Sequence, residues 1–486
     1  MHEAGLAANF DSHSGKRVVC RSGKKTRILG GYRMKTKSKD IFVIGFALFS
    51  MFFGAGNVIF PPYLGLQSGP QWFLGFLCYF IADIGLALVA LFAILKCGKG
   101  SEGITERIGH IPSTILMSAI VLCIGPLVAI PRTSASTFEM SIAPLFPNFS
   151  PVVFSILFFL LILLLCLNES AVVDIVGKFL TPALMLGLLV LIAKGVFTPM
   201  GPVALEPLIA NVPESGIKAG YQTMDVLAAM VFGIILLKSA EDKGHKTQKD
   251  KFKVVAGAGI VAAIGLLVVY LGLTYLGAAA SSFYDVSINR SVLVVNIVEA
   301  LLGKAGVIIF GIVVALACVT TAVALVSSAA AYFAKITHEK LSYTLLVFIF
   351  CGFSAVVSNI GLDQIVSVAG PILDIVYPPA LVLIVLSYFS NQIHNGNVFK
   401  LATAGALLTS LLGTISSFGV SMPFLSMLPL ANLGFGWVLP AAVFGLVGMC
   451  IKDKNAPTPT PGSKRASKKA PPVPVDMTHA DDASNA

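Results

Sequence analysis

Gly54-Ala55-Gly56-Asn57 stands inside an apolar run long enough to cross a bilayer, where a continuous helix avoids two glycines and the Pro61-Pro62 pair that follows. Glycine permits the dihedrals that open a helix, and an opened helix has bare amides at the start of its second half and bare carbonyls at the end of its first. The amides, at the positive end of the half-helix dipole, suit a carboxylate. The carbonyls suit a cation. A second reading of the same glycines is close helix packing of the GxxxG kind.

Ala317-Cys318-Val319-Thr320-Thr321 offers a matching set of oxygens. Positions i, i+3 and i+4 share a helix face, so the Ala317 carbonyl and the Thr320 and Thr321 hydroxyls can point at one spot. Hard oxygen ligands without a full carboxylate cage fit a weakly held monovalent cation. The competing reading is that such hydroxyls bond back to the preceding turn.

A further candidate break lies in GYQTMDVLAAMVFG, Gly220 to Gly233, where Thr223 and Asp225 place polar groups at a depth that is costly for an ionisable side chain. Asp225 also reads as a solvated helix end. Ala369-Gly370-Pro371 and Tyr377-Pro378-Pro379, with Asp374 between them, predict a kinked or interrupted helix. Asp83 is either a relay or the partner of Arg132 in a structural ion pair, with the ion pair the stronger reading. Arg132, in GPLVAIPRT, is a gate candidate or an interface anchor.

These residues need elements to hold them, and composition names the class. Of 486 residues 56% are hydrophobic and 12% charged, with a mean hydropathy of +0.87, which predicts an all-α polytopic membrane protein. The eight cysteines are scattered without CxxC or Cys/His spacing and read as small packing residues. The net charge of +10 sits in the tails and alternate loops, which suits an anionic membrane surface rather than nucleic acid. No HExxH, GxSxG or P-loop is present to carry hydrolysis or nucleotide binding.

A spanning helix needs about 20 apolar residues. By that rule twelve segments are expected, near 41–66, 71–96, 112–137, 150–168, 172–196, 218–238, 252–277, 304–334, 341–359, 362–389, 399–418 and 434–451. With the N-terminus inside, 29 of the 34 Lys and Arg fall on the cytoplasmic side, so both termini are expected there. The expected domains are a basic tail at 1–40, a transmembrane body at 41–451 and a disordered tail at 452–486. Met34, just before the first apolar run, is a second candidate start. The stretch Asn289 to Leu302 is too short to span and reads as a helix over the external face, either lid or packed connector. If segments one to five and six to ten are two repeats, at 41–196 and 218–389 with 399–451 as two extra helices, the first and sixth segments correspond. Paired breaks at corresponding positions point to a midplane site between inverted repeats.

The run KSKDIFVIGFALFSMFFGAGNVIFPPYLG, with GPLVAIPRTSASTFE, GYQTMDVLAAMVFG and ALACVTTAVAL, closely resembles the branched-chain amino acid:cation symporters of bacteria, over about Lys37 to Ile451. The resemblance implies a leucine-transporter-type fold of the amino acid-polyamine-organocation superfamily: twelve transmembrane helices, a five-plus-five inverted repeat plus two, the first and sixth helices broken. It implies uptake of leucine, isoleucine and valine across the bacterial cytoplasmic membrane, driven by a cation gradient, with sodium as the coupling ion and the proton as its rival. A proton-coupled carrier of another small neutral amino acid is the alternative, with an intramembrane enzyme or a channel behind it. Carried onto this chain, the substrate carboxylate meets the amides of Ala55 and Gly56. The ion meets the carbonyls of Ser50, Phe53 and Ala317 and the hydroxyls of Thr320 and Thr321. Asn57 binds a second ion or orders the break. Gly54, Thr223, Met224 and Asp225 complete the expected substrate site, with Val226, Leu227 and Leu127 as further expected apolar walls.

Overall fold

The computed structural model describes residues 25–97, 102–167, 172–245, 247–390, 392–420 and 422–452. The tails expected at 1–40 and 452–486 lie outside it except for 25–40 and Lys452. Residues 25–40 belong to the first helix, Lys25–Phe52, which therefore begins before the expected boundary; no proline lies within it to end a helix.

Among the described residues the chain is helical throughout, with no strand. Seven helical stretches are long and apolar enough to cross a membrane, or eight if Val212–Gly233 and Ile235–Asp242, bent by 50°, form one span. Three shorter apolar helices, Pro151–Leu167, Leu184–Phe197 and Val438–Cys450, add to them. Pro151–Leu167 shows what surrounds the molecule. Val152, Val153, Ile156, Leu157, Leu160, Leu161 and Leu164 are exposed at helical spacing, while Ser155, Phe158, Phe159 and Ile162 are buried. An apolar stripe turned outward along a helix that is itself apolar all round is the signature of lipid contact.

The centre of the bundle is where Ala55–Ser68 packs on Gln248–Ala279. These helices touch backbone to backbone: a Cβ on Gly65 would lie 1.9 Å from the Thr274 carbonyl oxygen, and one on Gly277 would lie 1.8 Å from that of Pro62. Only glycine allows that approach. Lys25–Phe52 lies against the same long helix. Arg290–Ile336 takes in the short segment expected over the external face and turns at Gly303 (φ 68°, ψ −171°) into the apolar helix that follows. Leu293, Val294, Ile297 and Val298 of the short segment are buried.

Two helices depart from regular geometry near the centre. The helix over 72–97 widens to i→i+5 bonding at Ile81–Gly85, which carries Asp83. His110–Ile142 loses helical dihedrals at Gly125 (φ −102°, ψ −130°), next to Pro126. Such widened or broken turns free backbone groups and re-aim side chains. Leu362–Tyr388, by contrast, runs as one helix through Pro371, Pro378 and Pro379, so the interruption expected there is not found. Gly396–Ser417 and Val438–Cys450 pack on each other and dock on Leu362–Tyr388 through a small separate cluster of Val382, Ala402, Ala406 and Ala441.

Candidate functional site

Lys25–Phe52 ends where Gly54 abandons it. The Gly54 amide donates to the Phe52 carbonyl at 2.8 Å and the Phe53 amide to that of Phe49 at 2.8 Å, so the Ser50 carbonyl loses the Gly54 amide a continuous helix would supply. Gly54 is extended (φ −107°, ψ −170°) and begins the next helix, Ala55–Ser68, without a side-chain cap. The first amides of that helix, including those of Ala55 and Gly56, thus start a half-helix whose positive end is buried inside protein.

Facing this end is another chain discontinuity. Val212–Thr223 stops and Asp225–Asp242 starts at Met224, a buried residue in the left-handed region (φ 69°, ψ 16°). The carbonyls exposed there are taken by Arg132, whose Nη1 donates to the Gln222 oxygen at 2.6 Å and Nη2 to the Thr223 oxygen at 3.3 Å. A cation on the last carbonyls of a helix is placed where the dipole favours it. Arg132 is therefore neither an interface anchor nor the ion-pair partner of Asp83. It is a buried guanidinium reaching from the bent His110–Ile142 helix into the second discontinuity.

Side chains tie the two discontinuities together. Asn57 Nδ2 donates to Asp225 Oδ2 at 2.9 Å and also to the Tyr270 hydroxyl of Gln248–Ala279. The Thr223 hydroxyl lies 2.8 Å from Asp83 Oδ1, with the Gly220 carbonyl at 2.5 Å as its other acceptor. Asp225 is 3% exposed and Asp83 0%, so Asp225 is not a solvated helix end. The two carboxyls are close enough to interact electrostatically, and Asp83 Oδ2 has no hydrogen-bond partner. A buried polar network of this kind rigidifies what it joins.

The expected cation ligands divide. The Thr321 hydroxyl is buried without a partner, and a Cβ on Gly54 would lie 3.5 Å from its methyl and 3.9 Å from its oxygen. Thr321 thus faces the first discontinuity. The Thr320 hydroxyl instead donates to the Ala317 carbonyl at 2.8 Å, the local bond that competes with ion binding.

A small cavity lies where these groups meet. It gathers Gly54, Ala55, Asn57, Thr223, Met224, Asp225 and Thr321, together with Arg132 and Thr133. Ser50, Phe53, Ala317 and Thr320 are not among its walls, and Gly56 sits directly beside the Arg132 guanidinium. Its apolar lining is Met51, Phe52, Ile124, Ala129, Ala228, Phe232 and Leu325 with Met224. Val226 and Leu227 are fully buried outside it, and Leu127 is 39% exposed, because the bend at Gly125 turns it away. Sequence reading missed Tyr270 and the apolar walls on Asp225–Asp242. Tyr270 carries no local signal, whereas Ala228 and Phe232 follow Asp225 at helical spacing and were open to inference.

The family model described as "Branched-chain amino acid transport protein" matches residues 37–455. The branched-chain amino acid permease BrnQ of Salmonella typhimurium is 35% identical over 428 residues, which cover 86% of this chain and 97% of that protein. The branched-chain amino acid permease BraB of Bacillus subtilis is 36% identical over 425 residues, covering 85% and 95%. Among solved structures, that of Mhp1, a nucleobase-cation-symport-1 family transporter, aligns with a TM-score of 0.59 at 13% identity over 84% of this chain and 92% of its own. At that identity the likeness is one of fold. The matched stretch runs through both discontinuities and every residue of the network joining them, and the chain belongs to the family of branched-chain amino acid transport proteins.

Proposed function

We propose that the protein is a secondary active symporter that imports leucine, isoleucine and valine with a monovalent cation, sodium in the first reading, by alternating access. The observation that carries this is the cavity at two chain discontinuities, lined by charged and polar groups together with apolar side chains. An amino acid needs both. Its carboxylate takes the bare amides at Ala55 and Gly56, its ammonium takes Asp225, and its side chain lies against Met224, Ala228 and Phe232. Pockets of this kind separate neighbouring aliphatic side chains by only about 1 to 3 kcal/mol per methylene, which accounts for shared use of the three substrates. The cation takes the carbonyls of Ser50, Phe53 and Ala317 with the hydroxyls of Thr320 and Thr321. Ion and substrate would order the same segment around Gly54, and coupling follows because each then favours the other by an equal free energy.

The same proposal extends to architecture. Twelve crossings, with 41–196 and 218–389 as inverted repeats, 399–451 as two added helices, and both termini in the cytoplasm, agree with the three short apolar helices and with the lysine and arginine distribution.

Proton coupling is the second reading, favoured by the buried Asp83 and Asp225 interacting at the site. One experiment separates the two. Purified protein in liposomes is given labelled leucine under sodium and pH gradients imposed independently. Accumulation that follows the sodium gradient at zero pH gradient supports the sodium reading. Accumulation driven by the pH gradient alone transfers the coupling to the proton. No accumulation under either overturns symport.

A further inference from the structure

Arg132 is placed for more than capping a helix. It is 5% exposed, and a guanidinium at that depth is expensive unless its donors are used. Two of them reach the Gln222 and Thr223 carbonyls. Nε is buried with no partner, and none of the ion pairs among the described residues includes Arg132. Its hydrogen bonds go to neutral oxygens, Asp225 attracts the charge without pairing with it, and donors are left over.

What lies next to those donors is the other half of the argument. A Cβ on Gly56 would stand 2.8 Å from Arg132 Nη2 and 3.0 Å from Cζ, so the guanidinium lies against the first turn of Ala55–Ser68. That helix begins without a side-chain cap. The guanidinium also lies over the Phe60 ring, 5.6 Å from its centre. Ala55 at the start of that helix and Arg132 both line the cavity, so backbone amides and a guanidinium with unused donors stand side by side at its wall. Their combination matches a carboxylate, which accepts side by side from Nε–H and an Nη–H while taking amides on its remaining lone pairs.

We propose that Arg132 is the side chain that binds the α-carboxylate of the substrate, acting with the amides of Ala55 and Gly56; this rests on the amino acid symport reading above. Arg132 stays on the Gln222 and Thr223 carbonyls as it does so, and one guanidinium then links both discontinuities through the substrate. A side chain at Gly56 would have to displace the guanidinium from this place. An analogue with an amide in place of the carboxylate offers Arg132 one neutral acceptor and lacks the charge and the second oxygen.

The test compares leucine with leucinamide, which keeps the ammonium and the isobutyl group. Full-length wild type, Arg132→Gln and Arg132→Lys are purified, and leucine binding and its displacement by leucinamide are measured. The selectivity of leucine over leucinamide falls by about 10- to 100-fold in Arg132→Gln, the worth of hydrogen bonds to a charged group. Arg132→Lys keeps the charge, loses the fork, and lies between; it also serves as the readout if the glutamine variant does not fold. Equal loss of both ligands, or unchanged selectivity in the lysine variant, overturns the assignment and makes Arg132 a helix cap only. Wild type that binds leucinamide as tightly as leucine also overturns it. Wild type that binds no branched-chain amino acid overturns the transport reading itself, which separates the two failures.

Discussion

Thr320 and Thr321 are neighbours of the same chemical type, yet their hydroxyls have different duties. That of Thr320 is spent on the Ala317 carbonyl, whereas that of Thr321 is buried beside Gly54 with no partner. A buried hydroxyl without a partner costs about 1–3 kcal/mol, a penalty that a bound ion would remove. Thr321→Ala is therefore expected to weaken the sodium activation of leucine uptake by roughly tenfold, and Thr320→Ala by less than about threefold. Sodium titrations of uptake in proteoliposomes check this; a larger effect at Thr320 would show that ion binding breaks its bond to Ala317. The difference between the two threonines was not legible in the sequence, because spacing puts both on one face and says nothing of rotamers. The same holds for Arg132. Its partners at Gln222 and Thr223 are backbone carbonyls, which have no letter of their own. Gly54 and Gly56 were legible, since two glycines before a proline pair inside an apolar run have few structural uses.

At the scale of elements, the contact between Ala55–Ser68 and Gln248–Ala279 sets the position of everything on the first discontinuity. Gly65 and Gly277 each lie against a carbonyl of the facing helix, at Thr274 and Pro62. Thr274 itself donates to the Tyr270 carbonyl at 2.7 Å, one turn from the hydroxyl that receives Asn57. A methyl group at Gly277 must push the helices apart, because the obstructing atoms are backbone and cannot swing away. Gly277→Ala is expected to cost about 1–3 kcal/mol, as overpacking does, and to move Tyr270 off Asn57. The check is thermal stability of the purified protein together with leucine affinity; both fall if the helix contact positions the site. Retained affinity with lowered stability would confine the contact to folding. Helix identity was readable from hydropathy at this scale, but pairing was not. Of the two outcomes expected from the prolines of Leu362–Tyr388, kink or interruption, the interruption is absent: Pro378 and Pro379 are buried inside a continuous helix, where neighbouring helices support backbone that would otherwise break.

For the whole molecule, membership of a transport family makes the protein a multi-pass membrane transporter and not an enzyme. Transport requires that one end of the cavity be shut while the other opens. On the alternating-access reading, one cluster is placed to do the shutting. Arg290 pairs with Asp363 at the start of Leu362–Tyr388, and its guanidinium lies over the Tyr63 ring, 4.5 Å from the centre. The Tyr63 hydroxyl donates to the Val286 carbonyl at 2.6 Å. Three elements, including the helix that starts at Ala55, are thereby fastened at the face that the proposed orientation puts outside. The short helix that begins at Arg290 buries Leu293, Val294, Ile297 and Val298, and the turn at Gly303 lets it lie across the bundle. Both readings left open for this segment, lid and connector, require burial. They differ in whether the fastening is reversible. Partly exposed charge pairs contribute about 0.2–1 kcal/mol, and the cation–π contact adds about 0.5–1, so losing the cluster shifts an open–closed balance by roughly 3- to 30-fold. Asp363→Asn removes the pair and leaves the fold's core untouched. Hydrogen exchange in the absence of substrate is expected to quicken over residues 285–302 and the first turn of Leu362–Tyr388, and not in Gln248–Ala279. If exchange over 285–302 stays as slow as in the wild type, the segment is a connector and the gate lies elsewhere.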